Sequence, residues 1–381
     1  MSGRLLLLGG GHTHLAALDS LRALHPRRQI TLLAPSRRLL YSGMMPGWMG
    51  GQYRFDDCAI DLRAHCDRLG VEWVEAEAVD IRFGEQVVID ARGGGHGYEA
   101  ISINVGSAVR LPEPVAGGPL LVGAKPFAGF TDAWRGWLDD LARQPRARLL
   151  AVIGGGAAGV ELAFALAARV RAEPALAGST VTLFTAGSRL LEGHPRIGAW
   201  LAARSLASAG VSVLDGHRLA AREAGALVFD TGKGRRSLET DFAIMATGAE
   251  PPLWLAAAAR RDGVSIAADG GIAVDSRLRS VSTAGVWASG DCASFIDQRV
   301  PRSGVHALRQ GPVLADSIAR GAAAAPYLAQ RRALALLNRC DGSAIAIRGP
   351  FAAAGAWAWR LKDRIDRRFI ARFRAGGPAG R

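Results

Sequence analysis

Gly154, Gly156 and Gly159 follow directly on the apolar run from Leu149 to Ile153, a spacing that suits one piece of chemistry, the binding of a dinucleotide pyrophosphate. The first glycine permits a tight turn, the second lets backbone approach the phosphates, and the third lets the next helix pack closely on the strand. The pyrophosphate would rest on the helix N-terminus, where unpaired N–H groups and the helix dipole favour an anion. Glu161 falls early in the same helix, where the dipole favours an acid. A second apolar run, Leu5 to Leu8, leads into Gly9, Gly10 and Gly11, but His14 stands where the third glycine would be. His12 and His14 could donate to phosphate oxygens, or simply fill space. Cys58, Cys66, Cys292 and Cys340 form no CxxC pair and no metal-ligand spacing, so neither a disulfide framework nor a metal site is expected.

The elements that would position these residues occur twice. In the first copy the glycine turn leads into a helix marked by Ala16, Leu18 and Leu21, then an apolar strand over 30–33, completing a βαβ unit. A helix around 61–69 and a meander of short strands between 72 and 105 follow, closing at Gly106. In the second copy a helix, a strand over 180–184, a helix over 197–209 and further strands close at Gly248, in the run Ala246, Thr247, Gly248. The copies are nearly equal in length, so the expected fold is α/β, with two Rossmann-like dinucleotide-binding domains, the second inserted in the first. Residues 1–112 and 265–325 would form the first domain, 113–264 the second and 326–381 a C-terminal segment. That segment carries Trp357, Leu361, Ile365, Phe369 and Phe373 at about four-residue steps, with Arg360, Lys362, Arg364, Arg367, Arg368 and Arg372 between them. Such a basic amphipathic helix either packs on the first domain or another subunit, or lies in a bilayer interface.

Composition narrows the classes. A chain of 381 residues with 49% apolar residues can bury proper cores. The net charge of +13 is carried almost wholly by arginine, since Lys125, Lys233 and Lys362 are the only lysines among 47 basic residues. This skew reads as compositional bias rather than a nucleic-acid patch, and polyanionic cofactors or an anionic membrane surface are the better partners. The N-terminal apolar run is too short for a signal segment, and the most apolar long window is broken by a glycine turn and Glu161. A cytoplasmic setting is expected, with peripheral contact at the inner face of the plasma membrane through the tail as a further expectation.

The paired glycine turns, the run 246–248 and the SGDCA run over 289–293 together resemble the pyridine nucleotide-disulfide oxidoreductase superfamily, flavoproteins with two dinucleotide-binding domains. GGGHTH (9–14), YSGMMPG (41–47) and WRLKDRIDRRF (359–369) resemble a narrower branch, that of type II NADH dehydrogenases and of the flavoprotein domain fused to selenide, water dikinase. The resemblance implies FAD on the first turn, held by Gly9, Gly11, His12, His14, Ser36, Gly106, Gly290, Asp291, His306 and Ala307. Asp291 would bond the ribityl chain, and 305–311 would lie beside the flavin ring. NAD(P)H would sit on Gly154, Gly156, Gly159 and Gly248, with Glu161 near the nicotinamide. Gln310 matches a position that contacts quinone in type II NADH dehydrogenases, whereas Val305 replaces a glutamine at the other such position. The acids that usually grip ribose are replaced by Ala34, Pro35 and Ser36 in the first copy and by Thr185 in the second, which leaves NADH against NADPH open, with Arg189 a candidate for a 2′-phosphate. Segment 41–47 holds no cysteine, which argues against dithiol chemistry and against a sulfide:quinone reductase. The implied activity is hydride transfer from NAD(P)H to FAD and onward transfer to an acceptor, foremost a quinone. The alternatives are a soluble reductase with another acceptor, such as a selenium compound, and a non-catalytic flavin-binding accessory protein; a homodimer is compatible with each.

Overall fold

In a computed structural model that describes residues 3–330 and 333–374, two five-stranded parallel sheets form the frame. The first sheet is ordered Val286–Ala288, Ala100–Ile103, Leu5–Leu8, Ile30–Ala34, Glu72–Glu75, and the second Leu120–Gly123, Phe242–Met245, Leu149–Ile153, Thr180–Phe184, Val211–Leu214. In each, the strand that enters the glycine turn is central and covered on both faces, which is why it reads as an unbroken apolar run: Leu5, Leu6, Leu7 and Leu8 are all buried. Each sheet is accompanied by a three-stranded antiparallel meander, Ala78–Arg82 to Gly95–Gly97 in the first case and Arg218–Glu223 to Gly234–Glu239 in the second. The chain leaves the first sheet after Ile103, builds the second, and returns at Val286–Ala288, so the second unit is inserted in the first.

The return differs from the sequence expectation in one place. Helix Leu253–Arg261, assigned above to the second domain, buries Leu255, Ala258 and Ala259 in the core that holds Leu6, Ile81 and Val286. Its apolar face satisfies the meander of the first unit, which puts the crossing before 253 rather than at 264.

Two helices brace the first glycine turn. His12–Leu24 packs lengthwise on Gly304–Arg320, and the approach is so close that a Cβ on Gly311 would stand 2.5 Å from the Ala16 Cβ. The tail forms an antiparallel sheet, Ala335–Asn338, Ala344–Arg348 and Phe351–Gly355, then helix Ala356–Arg374. It is the seam of the molecule: Leu337, Ile345, Ile347, Ile370 and Phe373 join one core with residues of both units, among them Leu15, Met44 and Phe164. The expected five-residue apolar stripe is split. Phe373 is buried and Phe369 partly so, whereas Trp357, Leu361 and Ile365 face outward. The inward face holds Ala358, Lys362, Asp366 and Ile370, so the helix buries an ion pair where the sequence suggested only hydrocarbon.

Candidate functional site

At the second turn, Gly154 has φ +130°, and a Cβ there would meet the Ala246 carbonyl oxygen at 2.4 Å. Gly159 is tighter still, with a Cβ position 1.8 Å from the Gly154 oxygen, so only hydrogen fits between helix and strand. Gly156 faces open space, and helix Ala157–Ala172 has no side-chain cap. The helix end is thus left open toward the place where a pyrophosphate would lie. Gly248 is exposed just past the neighbouring strand Phe242–Met245.

The first turn solves the same problem differently. Gly9 has φ +95° and presses on the Asn104 carbonyl as Gly154 does on Ala246. His14, fully buried, stands at the Gly159 position, and its Nδ1 lies 2.7 Å from the Gly9 oxygen and its Nε2 2.8 Å from the Ser102 hydroxyl. A carbonyl only accepts, so Nδ1 carries the proton and Nε2 accepts from Ser102. Burial holds the ring neutral, with its pKa pushed down to about 4. The expectation that His14 contacts the cofactor is therefore corrected: it is a spacer, tied to the turn through both nitrogens. Asn104 Oδ1 accepts from the N–H groups of Thr13 (3.2 Å) and His14 (3.4 Å), and its amide donates to the Ser289 carbonyl at 2.8 Å.

His12 keeps the place expected of a ligand-facing group. It is buried beside Asp291, Lys125, Tyr41 and Phe369, its Nε2 has no partner, and burial lowers its pKa to about 4. Asp291 accepts from Lys125 and from Ser107 Oγ (2.8 Å), a cation and a hydroxyl that anchor the carboxylate. Gly290, Asp291, Ser303, His306, Ala307 and Gln310 line one small cleft. Within it His306 bonds the Tyr327 hydroxyl at 2.7 Å, and the Ala307 carbonyl accepts from Thr13 at 2.9 Å, which ties the two helices together. Gln310 is corrected too: it is 1% exposed and its Oε1 accepts from the Gly290 N–H at 2.6 Å, which makes it a brace of the SGD turn rather than an acceptor contact. Ser36 closes a turn on Arg38, and Arg37 beside it pairs with Asp61 at 2.9 Å, so a cation occupies the strand end that lacks its acid. Gly106, at φ +74°, has nothing within 4 Å of its Cβ position.

Glu161 belongs to a different cluster, centred on the tail helix. Its Oε1 accepts from the Asn338 N–H at 2.8 Å, and burial raises its carboxyl pKa to about 7 against the pull of Lys362. Lys362 donates to the Gly43 carbonyl at 2.7 Å and to Asp366 Oδ2 at 2.8 Å. Burial disfavours its ammonium, but Glu161 and Asp366 outweigh that and hold its pKa above the ordinary value. Tyr41 lies near Asp366, whose pKa burial raises against the pull of Lys362. Segment 41–47, the inserted unit and the tail therefore converge on one largely buried group of titratable side chains, with Lys362 and Asp366 at its centre.

Sequence reasoning missed Asn104, Lys125, Lys362 and Asp366 as site residues. The lysines carried a signal: where nearly every base is arginine, two of the three lysines are at the site. Asn104 could have been found as the polar end of the apolar strand Ala100–Ile103. Among the described residues there is no group of three or more His, Cys, Asp or Glu that could hold a metal, and the four cysteines are free and buried.

The profile of the family described as "Pyridine nucleotide-disulphide oxidoreductase" matches residues 3–311. The chain belongs to this family. The family is one of flavoproteins that bind FAD and a nicotinamide nucleotide, and these are its cofactors here. The family's two-domain flavoprotein fold recurs in the NDH2 of Plasmodium falciparum in complex with NADH (TM-score 0.81, 13% identity, 100% of both chains). It recurs as well in the sulfide:quinone oxidoreductase of Aquifex aeolicus (TM-score 0.77, 17% identity, 99% of this chain and 92% of that one). A curated relative, the nitric oxide reductase FlRd-NAD(+) reductase of Escherichia coli O7:K1, is 34% identical over 158 residues, which is 41% of this chain and 38% of the relative. The chain thus spans little more than a third of the curated relatives it matches.

The residues present fit the flavin. The buried, unpartnered Nε2 of His12 and the open ground over Gly106 are what a bound dinucleotide would occupy, and the Lys125–Asp291 pair offers charge beside it. Among the described residues no helix is long and apolar enough to cross a membrane.

Proposed function

We propose that this oxidoreductase takes hydride from NAD(P)H and delivers the electrons to a quinone at a membrane surface. The observation that carries the reading is the Glu161–Lys362–Asp366–Tyr41 cluster, in which Lys362 and Asp366 are buried and Glu161 and Tyr41 half-buried. Quinone reduction consumes protons as well as electrons, and a carboxyl with a pKa near 7 beside a lysine is a group that can hold and release a proton at neutral pH. When bound, the flavin supplies the hydride-to-electron chemistry. The first turn, His12, and Asp291 held by Lys125 would bind and orient it, and the second turn would align the nicotinamide nucleotide. Gln310 and Asn104 position the turns that carry these groups. Phe369 packs on Tyr41 at one side of the cluster, with ring centroids 4.4 Å apart.

The acceptor's lipid setting is supported by the tail. Trp357, Leu361 and Ile365 form an outward apolar stripe on the helix, with Phe351 exposed at the preceding hairpin and Arg360, Arg364, Arg368 and Arg372 between them. That pairing of hydrocarbon and positive charge suits an anionic interface. Steady-state NAD(P)H oxidation with and without a short-chain quinone tests the acceptor; a rate that quinone does not raise rejects it. Flotation with anionic liposomes tests the surface. The triple variant Trp357→Ser, Leu361→Ser, Ile365→Ser removes the stripe and leaves the buried face of the helix intact, and equal flotation of variant and parent rejects membrane contact.

A further inference from the structure

The second unit lacks the strand-end acid that would read a nucleotide ribose, because Thr185 follows strand Thr180–Phe184 directly. The loop after it repairs the loss. Leu191 N–H donates to the Gly155 carbonyl at 2.7 Å, so the loop folds back over the glycine turn, a path that needs φ +52° at Leu191 and +89° at Gly193. This brings Glu192 against the start of the same loop: a Cβ on Gly187 would meet Glu192 Oε1 at 1.9 Å, so the carboxylate lies flat on that backbone. Thr185 Oγ1 forms the other wall, 2.4 Å from the Cβ position of Gly155. A hydroxyl beside the glycine turn and a carboxylate beside the start of the following loop therefore stand at the strand end, the region where the adenosine ribose of a nucleotide is read.

The cations that could receive a 2′-phosphate are turned elsewhere. The Arg189 guanidinium donates twice to the His194 carbonyl at 3.2 Å and so staples its own loop, which withdraws it as a phosphate partner. His217 Nδ1 bonds the Asp215 carbonyl at 2.7 Å. Burial and Arg189 lower the pKa of His194, which favours its neutral form.

We infer that Glu192 is the specificity-determining residue of the nucleotide site, taking the role of the missing strand-end acid and selecting NADH over NADPH. Its carboxylate accepts from the ribose 2′-hydroxyl and repels a 2′-phosphate. The inference rests on the reading that the second glycine turn holds the nicotinamide nucleotide.

The test is a fluorescence titration of the purified flavoprotein with NAD+ and, separately, NADP+, on the parent and on Glu192→Gln and Glu192→Arg. Glu192 is an exposed loop residue, so the variants keep the core. A hydrogen bond to a charged group sets the expected scale: the parent binds NAD+ roughly 10- to 100-fold more tightly than NADP+. Glu192→Gln brings the ratio to within about threefold of unity, and Glu192→Arg inverts it, both chiefly through tighter NADP+ binding. A parent that binds both nucleotides alike, or a ratio that Glu192→Gln leaves unchanged, overturns the inference while the oxidoreductase reading stands. If neither nucleotide binds protein with its FAD in place, both fall together.

Discussion

The two glycine turns have the same neighbours in the same strand order, yet one keeps its third glycine and the other replaces it with histidine. In the second copy the helix rests on the Gly154 carbonyl and nothing but hydrogen separates them, leaving the helix end uncapped. In the first, an imidazole fills the gap and Asn104 takes two N–H groups of the first helical turn. Close packing and an open anion site go together in one copy; a wider spacing and a partly satisfied helix end go together in the other. The requirement common to both is room for the carbonyl of the turn's first residue: glycine leaves that room in the second copy, and in the first the histidine donates to the carbonyl instead.

Exchanging the two solutions is the severest test. Gly159→His drives a side chain into a carbonyl with no room to yield, and the expected loss is more than about 4 kcal/mol of unfolding free energy, with nicotinamide-nucleotide binding abolished. His14→Gly empties a buried ring volume and strands Ser102, at about 3 kcal/mol. Denaturant unfolding followed by tryptophan fluorescence measures both. If Gly159→His is tolerated within about 1 kcal/mol, the two turns are not built as described.

Asn104→Ala comes next. It removes the acceptor of the Thr13 and His14 N–H groups and the tie to Ser289, so about 1–2 kcal/mol of stability is expected to go. The same denaturation experiment on Ala246→Gly, the matching position in the second copy, is expected to show a smaller loss, because that helix end has no side-chain cap to lose.

What was legible in the sequence follows the same division. The duplication was readable because buried parallel strands are continuous apolar runs and because tight turns admit few residues besides glycine, so Leu5–Leu8 and Leu149–Ile153 announce themselves. Glu161, Asp291 and His12 were readable as motif positions. What was hidden is pairing across distance: Lys125 reaching Asp291, Asn338 reaching Glu161, Lys362 turning inward from a helix whose spacing looked like a plain apolar stripe. The pattern of a helix states which residues share a face, and the partner across from that face decides whether a lysine on it is buried. The membership of Leu253–Arg261 was hidden for the same reason, since its apolar face fits either unit.

The comparison extends to proton chemistry. Burial shifts the histidines of the first turn and Glu161 of the second unit in opposite directions in pKa, yet each toward its neutral form. With a carboxyl pKa of about 7, Glu161 is protonated below that pH and a carboxylate above it. If it delivers a proton to the acceptor, quinone-linked turnover falls as pH rises through about 7, and Glu161→Gln abolishes this limb while lowering the rate roughly 10- to 100-fold. Hydride transfer to the flavin, followed by bleaching in a stopped-flow mixer, should keep its rate and stay flat with pH in both proteins. A limb that survives in Glu161→Gln assigns the proton elsewhere.

The smallest effect probes the spacer itself. Because the Gly9 carbonyl fixes the proton on Nδ1, Ser102 must donate to Nε2, and Ser102→Ala leaves that nitrogen buried without a donor at about 1 kcal/mol. The pH dependence separates this from a simple packing loss. His14 titrates at about 4 when folded against 6.5 when free, so the unfolded chain binds the proton first as pH falls. Its contribution is fully present above 6.5 and is lost progressively down to about 4. His12 contributes a slope of the same sign. Removing the imidazole with His14→Gln should flatten the stability profile between pH 6.5 and 4 without erasing it, whereas Ser102→Ala should lower the profile and keep its slope. A profile unaltered by His14→Gln would mean that the ring is not held neutral, and that the first turn has room for a charge where the geometry allows only a spacer.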